Sequence, residues 1–244
     1  SLSDPERKMS EEIKKRLFPR TAYRFNSGGD PAAIPRLSHR RLRDFHRRFY
    51  HPANAYFYAY GRLDIERVLK AVDRKLAGRF TASAPSPHVG REPLWERPRA
   101  GSAAYQYSGP DPERRFQYCL SWRLAESSRR EEIIAWEVIE DLLIGHAGAV
   151  LRSALLRSGL GSSLSDGSGL AADAKYAYFS AGLKDIRRQD WKRVAAIIMD
   201  SLDRIARQGF DPKDVEAAIR KQEYQEREVE QQPYPHGLDI WLGL

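Results

Sequence analysis

The chain has 244 residues, 41% hydrophobic and 11% aromatic, with one cysteine and a net charge of +8. At roughly 150 residues per domain that is about 1.6 domains, and the apolar content suffices for a core, which excludes wholesale disorder. Cys119 alone rules out a disulfide framework or a multi-cysteine zinc site and fits a reducing compartment; no apolar run approaches the ~20 residues of a membrane span.

Ser1-Leu2, without an initiator methionine or a signal-peptide core, reads as the start of a piece of something longer. Residues 4–17 then read as a helix. Asp4 can cap it, Pro5 suits its first turn, and Met9, Ile13 and Leu17 share a face. Leu17-Phe18-Pro19 stops it. Tyr23–Pro35, with Asn26-Ser27-Gly28-Gly29-Asp30-Pro31, is a loop. Ser38 caps an arginine-rich helix that ends near His51-Pro52, with Leu42, Phe45 and Phe49 expected to bury and Arg40, Arg43 and Arg47 to point outward. Ala53–Tyr60 is aromatic and ends at Gly61, a strand pattern, and Asp64 starts a helix carrying Val68, Leu69, Val72 and Leu76. The first 80 residues thus resemble the second half of an α/β unit without its first strands.

Residues 81–98 change character. Pro85, Pro87, Pro93 and Pro98 lie among Ser83, Ser86 and Gly90, which marks a semi-rigid linker and a domain boundary. Beyond it, Gly101–Ser108 and Phe116–Leu124 read as strands joined by a hairpin-like turn at Gly109-Pro110-Asp111-Pro112. Helices are expected over Glu131–Ile144 and Ala147–Arg157, a Ser/Gly-rich loop over Gly161–Ala172, and a strand over Tyr176–Leu183. Two more helices follow, Asp190–Gln208 and one opened by Asp211-Pro212. The order predicts an α+β fold, helices packed on a mostly antiparallel sheet, with a partial first unit (1–80), a linker (81–98) and most of a second unit (99–244).

Charge follows the same division. Residues 1–80 hold 19 basic and 9 acidic side chains, a net of +10, whereas 81–244 hold 22 and 24, a net of −2. Half of the excess lies in Arg36–Arg48, the kind of stripe that binds nucleic acid or another anionic surface. No recognition motif accompanies it, so a solvated helix face is the simpler account and nucleic acid is disfavoured as a partner.

No reaction centre is visible in the residues themselves. His-x-x-Glu-His and its inverse are both absent; His46 and His51, five apart, point about 140° away from each other on a helix. His146 follows Glu137, Glu140 and Asp141, which is either a carboxylate–histidine cluster or a helix end with its histidine near the favourable pole of the dipole. Gly159-Leu160-Gly161-Ser162-Ser163 and Gly167-Ser168-Gly169 lack the Gly-Lys-Ser/Thr of a phosphate loop, and no Gly-x-Ser-x-Gly occurs. Cys119, within an alternating strand, reads as a buried structural thiol.

Two stretches nevertheless resemble a known family. Leu17-Phe18-Pro19-Arg20-Thr21-Ala22-Tyr23, Asn26-Ser27-Gly28-Gly29-Asp30-Pro31, Ile34-Pro35, Phe45-His46 and Tyr50-His51-Pro52-Ala53-Asn54-Ala55 through Tyr60-Gly61 are similar to the pitrilysin/insulinase-like metallopeptidases, best to the presequence-protease/falcilysin branch. Ser158-Gly159-Leu160-Gly161, Gly182-Leu183-Lys184-Asp185-Ile186, Gly209-Phe210-Asp211, Val215–Ile219, Glu223, Arg227-Glu228 and Pro235-His236-Gly237-Leu238 resemble that branch's second domain.

The resemblance implies a zinc peptidase whose repeated α/β units enclose a chamber for unfolded peptides. It implies that the zinc ligands lie upstream of Ser1, so that these 244 residues form an inactive, substrate-enclosing fragment with no cofactor of its own. Asn26, Ser27, Gly28 and Gly29 are then either a chamber-side loop or simply a turn. Arg40, Arg43 and Arg47 could draw acidic peptides. The implied partners are unfolded peptides and the remaining domains of the parent, without a membrane, in the cytoplasm or, for eukaryotic relatives, an organelle. A non-catalytic scaffold of the same family and a nucleic-acid module on Arg36–Arg48 are the alternatives.

Overall fold

The computed structural model describes residues 4–80, 88–93, 95–227, 235, 237–238 and 241. In chain order its elements are α1 (Pro5–Leu17), α2 (His39–Phe49), α3 (Ile65–Leu76), β1 (Phe116–Glu126), α4 (Arg130–Glu140), α5 (Val150–Arg157), β2 (Ser163–Leu164), β3 (Gly169–Ala171), β4 (Tyr176–Ile186), α6 (Trp191–Gln208) and α7 (Pro212–Arg227). They divide into a larger unit, Ser1–Phe25 with Arg91–Glu228, and a smaller one, Asn26–Gly90 with Val229–Leu244.

The larger unit is organised by β4. It pairs antiparallel with β1 on one side and with the short β2 and β3 on the other, giving an all-antiparallel sheet. Successive residues of a strand point to opposite faces. Phe179, Ala181 and Leu183 therefore share one face with Leu120 and Trp122 of β1, and this face is roofed by Leu151 and Leu155 of α5 and Val194 and Ile198 of α6. Tyr178 points to the other face and packs with Ile13 and Phe18, so α1 roofs that side. Gly182 sits opposite Cys119, where a Cβ would lie 2.7 Å from the Cys119 Cα and collide with the Tyr118 carbonyl. Near the end of β4 the register with β1 shifts, and Asp185 there has φ +56°. Its carboxylate accepts a hydrogen bond from the Ser162 hydroxyl, which helps to hold an uncommon backbone conformation.

α1 forms where local signals favour it. The Asp4 carboxylate accepts hydrogen bonds from the Glu6 and Arg7 amides at 3.1 and 3.5 Å, and Pro5 occupies the first turn. Lys14, Lys15 and Arg16 complement the C-terminal end of the dipole. Past its end, Phe18 is fully buried between Tyr23 and Tyr178, edge-on to both rings at 5.9 and 6.0 Å. Glu92 is also buried; its carboxylate accepts from the Arg20 and Thr21 amides at 3.0 and 2.7 Å and fixes the turn after the helix.

In the smaller unit Ser38 and Asp64 cap α2 and α3 with side-chain bonds to the Arg41 and Arg67 amides. Neither helix buries a residue. Tyr58 stacks on Trp241 at 5.2 Å and donates its hydroxyl to the Gly237 carbonyl at 2.7 Å.

The α+β class and the antiparallel sheet agree with the sequence pattern, but several local expectations do not. Leu42 and Phe45 are exposed rather than buried, because the smaller unit contains nothing among the described residues to cover that stripe. The strand expected over Ala53–Tyr60 does not form: Pro52–Asn54 makes a 3-10 turn and residues 55–60 have no ladder, since a strand exists only with a partner. Gly101–Ser108 forms no strand and the hairpin is absent; Pro112–Arg114 makes a 3-10 turn capped by Asp111, and β1 pairs instead with β4. The helix over Glu131–Ile144 widens into a π turn at Asp141–Gly145, and the Ser/Gly-rich loop contains β2 and β3. Sequence grouped residues 1–25 with those that follow, whereas in the structure they pack on the sheet, because Ile13 and Phe18 bury there. Of the expected linker, 81–87 and 94 lie outside the described residues, and the division at Gly90/Arg91 falls within it.

Truncating Phe18 removes the ring that holds α1 to the sheet. Phe18→Ala is expected to destabilise the larger unit by about 3–5 kcal/mol, read as a lowered denaturant midpoint.

Candidate functional site

The Asn26–Pro31 loop is built by short-range hydrogen bonds. The Asn26 carboxamide oxygen accepts from the Gly28 amide at 2.8 Å, the Asn26 carbonyl from the Gly29 amide at 3.0 Å, and the Asp30 carboxylate from the Ala32 amide at 2.9 Å. Gly29 has φ +82°, a conformation that favours glycine, and a Cβ there would press on Ile34 at 3.2 Å. Ser27 and Gly28 are exposed. The turn is thus determined by its own chemistry, and it presents backbone and a hydroxyl to its surroundings.

Arg40, Arg43 and Arg47 are all exposed on α2. The neighbouring aromatic groups stack in pairs: Phe45 with Phe49 at 4.7 Å, and His46 on Tyr50 at 4.8 Å. His51 meets Phe80 edge-on at 5.3 Å, and its Nδ1 accepts from the Ala53 amide at 3.1 Å, which caps the 3-10 turn Pro52–Asn54. The two histidines are thereby committed to different neighbours.

In the larger unit the carboxylates before His146 each have a structural partner. Glu137 accepts from Gln222 at 2.7 Å and Asp141 pairs with Lys221 at 2.5 Å, both tying α7 to the α4 end of the helix. Glu140 accepts from the Leu170 amide at 3.4 Å, joining α4 to β3. Burial pushes the Glu140 carboxyl above the usual carboxylate range and Asp141 pushes the same way, against the Leu170 amide and Lys221. His146 ends the π turn and lines a cavity of about 240 Å³ with Leu142, Arg204, Ile205, Phe210 and Asp214.

Cys119 is enclosed by polar neighbours that sequence spacing does not reveal. Burial raises its thiol, against hydrogen bonds from Ser165, Ser121 and Ser180. The Ser180 hydroxyl lies 2.7 Å from that of Ser121 directly across the strands. Lys184 pairs with Asp166 at 2.6 Å, and Asp166 also accepts from Gln117 at 2.7 Å. Sequence reasoning missed Glu92, the Gln117–Asp166–Lys184 network and the cavity; of these only Gly209-Phe210-Asp211, at the junction of α6 and α7, carried a local signal.

Among the described residues no three histidine, cysteine, aspartate or glutamate side chains come together in a way that could hold a metal ion. No helix among them is long and apolar enough to cross a membrane. The family model described as "Peptidase M16 inactive domain" matches residues 36–222. The chain belongs to the M16 peptidase family.

Within that family it falls in the presequence-protease branch. It is 32% identical over 245 residues to presequence protease 1, chloroplastic/mitochondrial, of Arabidopsis thaliana, and 30% identical over 227 residues to the mitochondrial presequence protease of Xenopus laevis. Those matches cover 98% and 92% of this chain but only 22% of each relative. A bacterial relative, protein HypA of Clostridium perfringens, is 27% identical over the whole chain, which spans 25% of its length. The fold agrees with an M16-like peptidase from Alicyclobacillus acidocaldarius at a TM-score of 0.67 and 18% identity, over 98% of this chain and 55% of that one.

The Glu140 shift gives stability a sign with pH. The folded carboxyl holds its proton to higher pH than the unfolded one, so stability falls as pH rises from the unfolded value through the folded one. Glu140→Gln keeps the acceptor for Leu170 and removes the ionisation. Relative to wild type, the variant is expected to gain stability on going from pH 4 to pH 7, measured by thermal unfolding across that range.

Proposed function

We propose that these 244 residues are part of a zinc metalloendopeptidase that degrades short unfolded peptides in an enclosed chamber, and that this part encloses substrate without performing chemistry. The match of residues 36–222 to an inactive M16 domain carries the reading. The relatives' names support a peptide substrate of the presequence kind. On this reading residues 1–80 end the catalytic unit, with α1 docked on the sheet that follows; 81–98 link; and 99–244 form the second, non-catalytic unit.

The zinc belongs to other parts of the parent. The side chains present here do not fit it: Glu137, Glu140 and Asp141 each hold a structural bond, and His46 and His51 serve different neighbours. When bound, zinc lowers the pKa of its water and polarises a carbonyl. What this chain contributes is a wall. The exposed Ser27 and Gly28 of the Asn26–Gly29 turn offer a surface that an extended peptide can meet, and Arg40, Arg43 and Arg47 a cationic surface for acidic side chains. The compartment is the cytoplasm, although several relatives are named mitochondrial or chloroplastic. A second reading, a non-catalytic scaffold of the same family, draws on the word "inactive" in the domain's description.

The purified 244-residue chain is expected to contain no stoichiometric zinc by elemental analysis and to leave unfolded peptides intact. The full polypeptide is expected to bind about one zinc and to cleave them in a chelator-sensitive way. A full polypeptide that binds zinc weakly and cleaves nothing selects the scaffold.

A further inference from the structure

Arginines collect at the end of the larger unit's sheet where β1 begins and β4 finishes. Phe116 pairs with Ile186, which sets Arg115 and Arg187 across from each other one step farther out, with Arg188 next in the chain. Like charges opposite one another on neighbouring strands repel. The sequence around them is otherwise close to neutral, since residues 81–244 carry 22 basic and 24 acidic side chains. These three arginines line one cavity of about 570 Å³, together with Glu113, Phe116 and Gln189.

The backbone that carries them is fixed on both strands. Tyr105 donates its hydroxyl to the Arg115 carbonyl at 2.8 Å. Phe116 and Tyr118 of β1 pair with Ile186 and Leu183 of β4, so β4 holds one extra residue there, in a bulge that contains Asp185 at φ +56°. The Ser162 hydroxyl secures the Asp185 carboxylate, and Ile186 just beyond it is buried. A bulge re-aims the strand end that follows it, here the pair Arg187-Arg188. Counter-charge at the cavity is sparse. Glu113 reaches Arg187 only at 4.0 Å, with both side chains exposed, and Arg115 and Arg188 pair with no carboxylate among the described residues.

We infer that this cavity is a binding site for a phosphate-bearing anion, held by Arg115, Arg187 and Arg188. The site goes beyond the proposed peptidase role and does not depend on it. Three arginines against Glu113 leave the lining with a net charge of +2, which a phosphate dianion matches and a single carboxylate does not. Each guanidinium presents a planar fork of N–H donors that fits two oxygens at once, and Gln189 adds a neutral amide. An anion between Arg115 and Arg187 also turns their mutual repulsion into shared attraction.

The test is calorimetric titration of the 244-residue chain with pyrophosphate at low ionic strength, where saturable binding at one site is expected. Arg115→Gln and Arg188→Gln should each weaken it about tenfold. Arg188→Lys keeps the charge but loses the fork, and should weaken it as well. Glu113→Gln removes the competing carboxylate and should tighten it. Arg129→Gln, past the other end of β1, should change nothing. Arg115, Arg188 and Arg129 are exposed, so an unchanged thermal midpoint in each variant ties the loss to binding rather than to folding. Titration with ADP separates two sources of the phosphate: tighter binding than pyrophosphate assigns a nucleotide, and equal or weaker binding assigns the inorganic anion. Absence of saturable binding overturns the inference. So does binding that the Arg115 and Arg188 variants leave unmoved, or succinate binding as tightly as pyrophosphate.

Discussion

The pairing of β1 with β4 is the contact on which the larger unit's core depends, because α1, α5 and α6 pack on the surfaces it creates. Cross-strand partners such as Trp122 and Phe179 create one apolar surface, which α5 and α6 cover. Tyr178 helps to create the other, which α1 covers. The pairing requires glycine at 182, since any side chain there would strike the Tyr118 carbonyl. It also brings Ser121 to Ser180, so that the buried Ser180 hydroxyl is satisfied by its half-buried partner rather than left as an unpaired polar group in the sheet.

The smaller unit shows what the same kinds of sequence do without that contact. Its helices are well capped, with Ser38 and Asp64 bonding to the backbone, and α3 carries a clear apolar stripe. Capping contributes about 1 kcal/mol, too little to hold a helix of this length without an apolar partner. Its aromatic groups therefore associate with one another: Phe45 with Phe49, His46 with Tyr50, Tyr58 with Trp241. Such local pairs bury part of each ring, yet they do not replace a sheet surface.

What was legible in the sequence follows from the range of each interaction. Asp4-Pro5, Ser38 and Asp64 act within three residues, and each starts the helix that the sequence led one to expect. The alternation around Phe179 is likewise local, and β4 forms there. The hairpin after Gly101 failed because an adjacent strand pattern cannot reveal that β1 prefers a partner some sixty residues away, and two prolines flank Asp111 in the proposed turn. The docking of α1 on the sheet was hidden for the same reason: Ile13 and Phe18 announce an apolar face but not what it meets. Conversely Ala53–Tyr60 has a strand's pattern, yet it opens in the Pro52–Asn54 turn and its remainder has no strand neighbours among the described residues. In the candidate site, the Asn26–Gly29 turn could be read from its residues, whereas Glu92 capturing two amides from the other end of the unit could not.

That the carboxylates before His146 form no metal site among the described residues has a structural cause. A carboxylate becomes a ligand or a general base only if it is free to turn toward a substrate or an ion, and here the acids near the one suggestive histidine are spent on architecture. Glu137 and Asp141 fasten α7, and Glu140 fastens β3. Recruiting any of them to a metal would cost that bond, and burial makes the Glu140 carboxyl harder to ionise. The thiol of Cys119 is subject to the same constraint, since burial lifts it away from the thiolate that would make it reactive. In this unit these ionisable groups act as fasteners: the acids join helices and a strand, and the thiol sits among hydroxyls in the sheet.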